Sequence, residues 1–324
     1  MAGIFTMIKY RVLPAVMTKL VIEYCEVTGF AIPEDYHHLK HLNDFDLIGY
    51  NVLLELLNTI ENNSDNNIFF VELLPFIKRR FIPYLSQHLR DTSSSAQILN
   101  GLLNTFPNKS ASVDWKIIHS KTEIELVSKR PSLMSSSSKY CDIYLYSFML
   151  ELLVENEAAS GKDILSVKLP FERSHYAKYV DIFENVEFES NHMSILVRKP
   201  ERETYEPESR TIELPNLTLI DQVTAAANTI DVNTLNLKSL SSLIGISERN
   251  LQRKLCSAGK KPTAIIKSVK FSRARQNLIR NKGCVKRTAY ECGYTDLSNF
   301  TRLFVNITGL PPREYVKANT HLFR

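Results

Sequence analysis

The chain has 324 residues, 44% of them hydrophobic and 23% charged, which is enough for two domains that each bury a core. Its formal net charge of +5 hides a split: residues 232–324 carry 18 Lys and Arg against 4 Asp and Glu, leaving 22 basic and 31 acidic residues in 1–231. Such asymmetry marks a polyanion-binding tail joined to a body that does not share that task; a solvated basic face for solubility would not need the charges so concentrated.

In chain order, Val16, Leu20 and Tyr24, and then Val52, Leu53, Leu56 and Leu57, recur at helical spacing. Residues 62–67 read as a polar loop. Residues 69–89 are apolar but contain Pro75 and Pro83, so short broken helices are expected there, followed by another at 98–106. From Val113 the period changes to two: 113–117 and 122–127 alternate like half-buried strands. A serine loop at 135–138 leads to a helix at 140–157, a strand at 164–169 and a helix at 175–183. Segments 187–189 and 193–197 are expected to close the sheet as an antiparallel pair. Helices first and a small antiparallel sheet later give an α+β domain over 1–199. Residues 200–216 carry Pro200, Pro207 and Pro215 among many charges and read as a linker. Residues 217–324 read as helix and turn throughout, an all-α domain.

Within that last domain two helix-turn-helix patterns stand about fifty residues apart. In the first, Leu240 and Leu243 face inward, Gly245 permits a left-handed turn, and Ser247 caps the next helix. Leu251 and Leu255 pin that helix, leaving Arg249, Asn250, Gln252 and Arg253 outward. Arginine forks match guanine O6 and N7, and Asn or Gln amides match adenine N6 and N7. In the second, Gly293 makes the turn, Asp296 is the cap, and Phe300 and Phe304 are buried four apart. Leu297, Ser298, Asn299, Thr301 and Arg302 are left to face a partner. Lys254, Lys260, Lys261, Lys282, Lys286 and Arg287 flank both patterns and suit phosphates, which set affinity without specifying sequence. Pro262 opens a connecting helix containing Ile265, Ile266, Val269, Ala274 and Leu278, which would hold the two reading heads at fixed separation. These features point to duplex DNA as the partner.

Residues 237–315 resemble the tandem helix-turn-helix domain of the AraC/XylS family of bacterial transcription regulators. The matching residues are Ser247, Leu251, Arg253, Leu255, Gly259, Ala274, Cys292-Gly293-Tyr294, Phe300-Thr301-Arg302, Phe304, Gly309, Pro312 and Tyr315. The resemblance implies sequence-specific promoter binding, with base contacts from Arg249, Gln252 and Arg253 and from Leu297, Ser298, Thr301 and Arg302. It also implies RNA polymerase as a further partner. Three positions depart from the pattern: Lys270, Thr288 and Val316. The hydroxyl of Thr288, where an aliphatic is usual, is expected to loosen the second motif. The N-terminal region resembles the arabinose-binding-like regulatory domain of one branch, through Leu169-Pro170, Tyr176, Phe183, Val186, Phe188 and Ile195-Leu196. That implies an effector or dimerisation domain and names no effector.

His37 and His41 would share one face of an α-helix, but no third ligand accompanies them and the segment is polar, so a solvated turn is the expectation and no metal or other cofactor is assigned. The five cysteines (Cys25, Cys141, Cys256, Cys284, Cys292) form no C-x-x-C pair, which suits a reducing compartment. Cys284 and Cys292 sit too far apart along one helix for a disulfide. No stretch approaches the ~18 apolar residues of a membrane span, and the run at 12–17 is broken by Pro14, so it is not a signal peptide. A cytoplasmic protein is expected. Phosphate-loop, dinucleotide, zinc-protease and nucleophile-elbow motifs are absent, so no enzymatic role is expected. The rival reading is a sensory or protein-interaction module whose helix-turn-helix domain has degenerated.

Overall fold

The computed structural model describes residues 10–63, 114–129, 164–176, 185–198, 211–212 and 217–319, with isolated positions at 72, 73, 75, 76, 79, 142, 143 and 146. The expected helix at 98–106 and most of those at 69–89, 140–157 and 175–183 lie outside the described residues. The chain divides into two compact units. One gathers Arg11–Ile32 and Tyr50–Asn216; the other gathers Met1–Tyr10, Pro33–Gly49 and Leu217–Arg324. The division is not linear, because an N-terminal segment clusters with the C-terminal helices.

In the first unit, helix α1 (Ala15–Thr28) buries the spaced Val16, Leu20 and Tyr24 and ends at Gly29, whose φ of 81° only glycine adopts readily. Helix α2 (Tyr50–Asn63) buries Val52, Leu53, Leu56, Leu57 and Ile60. A six-stranded sheet follows, built from β1 (Asp114–His119), β2 (Glu123–Lys129), β3 (Ile164–Lys168), β4 (Val186–Glu187), β5 (Met193–Arg198) and β6 (Thr211–Ile212). Their spatial order is β4-β3-β5-β2-β1-β6. A short helix, α3 (Arg173–Tyr176), lies in the β3–β4 connection.

Two expectations are corrected here. Segments 187–189 and 193–197 do not pair with each other: β4 runs parallel to β3, while β5 sits between β3 and β2, antiparallel to both. The reason is burial on both faces. Met193, Ser194, Ile195 and Val197 are all buried, as a central strand requires, whereas β4 is a two-residue edge. Residues Thr211 and Ile212, inside the expected linker, form β6 against β1.

The second unit is helical. Helix α4 (Leu219–Thr229) starts at a capping box in which Thr218 accepts from the Asp221 amide and the Asp221 carboxylate accepts from the Thr218 amide. Then come α5 (Leu237–Ile244), α6 (Glu248–Ser257), α7 (Pro262–Arg280), α8 (Val285–Glu291), α9 (Leu297–Thr308) and α10 (Pro312–Ala318). Two cores form. Val223, Ala226, Leu235, Leu240, Leu251 and Leu255 pack with Ile265 and Val269 of α7. Ala289, Phe300, Leu303 and Phe304 pack with Ala274 and Leu278 of the same helix.

Candidate nucleic-acid interface

Each helix-turn-helix is set by local chemistry. In the first, α5 ends at Gly245, whose φ is 77° and whose N–H donates to the Ser241 carbonyl at 3.0 Å. The Ser247 hydroxyl accepts from the Asn250 amide and opens α6. In the second, Gly293 takes φ 73°, which a side chain would strain, and a Cβ there would lie 2.1 Å from Asn233 Oδ1, so that amide would have to move aside. Asp296 accepts from the Ser298 amide at 2.8 Å and opens α9; that bond holds its carboxyl below the usual carboxylate value.

Burial separates the two faces of α6 cleanly. Leu251 and Leu255 are fully buried, while Arg249, Asn250, Gln252 and Arg253 are exposed. Arg253 Nη2 donates to Asn250 Oδ1 at 2.8 Å, so the amide orients the arginine fork in the free protein. On α9, Phe300 and Phe304 are fully buried. Leu297, Ser298, Asn299 and Arg302 are exposed, and Thr301 is half-buried. The flanking Lys260, Lys261, Lys282, Lys286 and Arg287 are exposed and Lys254 is half-buried. Arg287 Nε donates to Glu291 Oε1 at 2.9 Å.

Helix α7 joins these faces. Its 19 residues span about 28 Å by helical rise. Its first half is built into one core and its second half into the other. Because interiors are close-packed, neither recognition helix can turn about α7 without opening a core.

The Thr288 hydroxyl, expected to loosen the second module, is fully hydrogen-bonded inside it. The residue is fully buried, its Oγ1 donates to the Cys284 carbonyl at 2.8 Å, and it accepts from Asn281 Nδ2 at 3.1 Å. The same Asn281 donates to Glu291, as do Arg280 and Arg287. Burial pushes the Glu291 carboxyl up, but these three donors outweigh it and hold it below the usual value. Cys284 is exposed and Cys292 buried, and both are free thiols.

Sequence reasoning missed a buried polar cluster in this unit. The segment with His37, His38 and His41 is a 3-10 helix (Glu34–His41), not an α-helix. At three residues per turn, His38 aligns with His41 and His37 does not. Among the described residues no group is arranged to hold a metal ion. His38 is largely buried: Nε2 lies 3.4 Å from the Asn228 carbonyl and Nδ1 lies 3.8 Å from Asp231. Burial first, then the Arg273 charge, lowers its pKa to about 4 despite Asp231. Arg273, on α7, is 5% exposed and donates to the Asn228 carbonyl at 2.6 Å. The available signal was its place on the Val269–Asn277 face of α7, where a cation interrupts buried positions.

A family of helix-turn-helix domains matches residues 240–318. Among solved structures, a DNA-binding transcriptional dual regulator from Escherichia coli K-12 is 26% identical, over 32% of this chain and 99% of its own, with a TM-score of 0.29. The transcriptional regulator CdpR from Pseudomonas aeruginosa is 15% identical, over 93% of this chain and 98% of its own, with a TM-score of 0.39. No curated protein matches significantly.

Proposed function

We propose that this chain, a DNA-binding transcription regulator whose C-terminal helix-turn-helix domain is of the AraC type, reads promoter DNA by setting α6 and α9 into adjacent major grooves of one duplex. The observation that carries this reading is the sharing of α7 between both cores, which fixes two exposed recognition faces on one rod. Base reading is assigned to Arg249, Asn250, Gln252 and Arg253 on α6 and to Leu297, Ser298, Asn299, Thr301 and Arg302 on α9. Lys254, Lys260, Lys261, Lys282, Lys286 and Arg287 are assigned to phosphates. A rod of fixed length facing a helical pitch of about 34 Å favours a site that bends toward it.

Control is assigned to residues 1–199, through a small-molecule effector or the pairing of two copies, with RNA polymerase as the downstream partner. The supporting feature is the charge split, which leaves the acidic N-terminal region free of the DNA task. Among the described residues no helix is long and apolar enough to cross a membrane, in keeping with a proposed cytoplasmic site of action, and the proposed role is non-enzymatic.

Gel shifts with genomic fragments test the reading: saturable binding that survives excess competitor DNA is expected. Arg253→Ala is expected to cost about 1–3 kcal/mol on the selected site and to relax preference at one base pair. A footprint and base preference unchanged by Arg253→Ala would remove this residue from the reading set.

A further inference from the structure

The segment Pro33–Gly49 clusters with the helix-turn-helix unit although it belongs in sequence to the N-terminal region. Leu39, Leu42 and Ile48 are buried along it. Besides the His38 contacts to Asn228 and Asp231, polar ties hold it to two helices: Asn228 Nδ2 donates to the Leu47 carbonyl at 3.1 Å, the Gly49 amide donates to Thr229 Oγ1 at 2.7 Å, and Gln276 Nε2 donates to Asp46 Oδ2 at 3.2 Å. The first two end on α4 and the third on α7. Beside them lies the Arg273 guanidinium, fixed to the Asn228 carbonyl and attracted by Asp46 of the segment and by Asp231. A guanidinium this deeply buried is strongly disfavoured without nearby carboxylates, so α7 and the segment depend on each other.

The position of Arg273 gives this contact a consequence. It stands on α7 between Ile265 and Val269, which feed the first core, and Leu278, which with the adjacent Ala274 feeds the second. We infer that Pro33–Gly49 is a brace for the connecting helix, with Arg273 as its positioning residue, and that it fixes the spacing of half-sites the protein accepts. The inference rests on the two-groove reading above. One base pair of added spacer changes both the distance and the angular phase between half-sites. A rod gripped at its midpoint by the brace resists the bend or twist that would absorb this change. Both ends of the brace continue directly into Ile32 and Tyr50 of the other unit.

The test uses the full chain. A binding site is first selected from a random duplex library, and affinities are then measured on that site and on versions with one base pair added or removed between the half-sites. The wild-type chain is expected to lose about tenfold or more at either altered spacing, the scale of one lost base contact. Thr229→Val removes the acceptor for the Gly49 amide; its loss at altered spacing is expected to shrink to about threefold, with base preference inside each half-site unchanged. Thr229→Ser keeps the hydroxyl and is expected to restore the wild-type profile. Asp46→Asn removes the carboxylate facing Arg273 from an accessible position, and it decides the matter should Thr229→Val not melt cooperatively. A wild-type spacing profile in both Thr229→Val and Asp46→Asn, or a uniform fall at every spacing in them, overturns the brace. A wild-type chain that selects no sequence overturns the two-groove reading and the brace with it, which separates the two failures.

Discussion

The two helix-turn-helix modules share a backbone outline and differ in almost every residue that produces it. The first has an aliphatic core of Val, Ala, Leu and Ile, and its recognition helix presents Arg249, Asn250, Gln252 and Arg253. The second is aromatic: Phe304 lies 5.1 Å from both Phe271 and Phe300 and 5.6 Å from Tyr315, and Tyr294 lies 5.4 Å from Phe300. Its recognition helix exposes Leu297, Val305 and Ile307, with Arg302 as its cation. Core chemistry and reading chemistry are thus independent. A glycine turn, a cap and two buried residues four apart suffice for the outline, and the outward face is free to be charged or apolar. Amide and guanidinium readers suit a purine-rich half-site, while an exposed leucine suits thymine methyls.

The largest expected effect breaks the second module alone. Phe304→Ala removes the centre of the aromatic cluster and is expected to cost about 3–5 kcal/mol of stability. Thermal melting should show a lowered or split transition, and footprints should keep protection over the first half-site only. Loss of both half-sites together would show that α7 transmits the damage and that the modules are not separable.

Acid is expected to act on the braced side. His38 faces Asp231 of the α4–α5 loop, Arg273 of α7, the Asn228 carbonyl of α4 and the backbone of Asp35. His41 faces Arg280 and Arg273 of α7, Glu291 of α8 and its neighbour Lys40. Burial first lowers both to about 4 from an ordinary 6.5. The unfolded chain therefore binds more protons between those values, and stability is full above about 6.5 and falls as pH drops toward 4. His38→Gln should flatten that fall in a pH series of denaturant midpoints. An unchanged slope would show that His38 does not titrate differently on folding.

These two regions also mark what the sequence discloses. Gly245, Ser247 and Asp296 act on neighbours within five residues, as does the turn at Gly293, and these roles were readable because turn and cap geometry is local. The exposed faces of α6 and α9 followed from helical periodicity. The brace was not readable, because Gly49 meets Thr229 across 180 residues and Asp46 meets Gln276 across 230. Nor was the 3-10 winding that turns His38 inward, nor the central place of β5, which tertiary burial decides. Thr288 marks the boundary between the two. Its departure from the family pattern was visible, but the partners of its hydroxyl, Asn281 and the Cys284 carbonyl, were not. Thr288→Val should therefore destabilise by about 1 kcal/mol and not stabilise. A higher melting temperature for Thr288→Val would show that the hydroxyl is a net cost after all.

The smallest effect separates phosphate anchors from structural cations. Lys261 is exposed at the entrance to α7 and makes no capping bond there. Lys261→Ala should weaken all duplexes about equally and lower the slope of log affinity against log salt by about 1. Arg287 has a similar position relative to the second module, but its guanidinium already serves Glu291, alongside Arg280. A phosphate would have to compete with that carboxylate, so Arg287→Ala should change the salt slope less than Lys261→Ala. Equal slopes for the two variants would mean that the Glu291 pair opens on DNA, and that the charge network of the second module is part of its grip on the backbone.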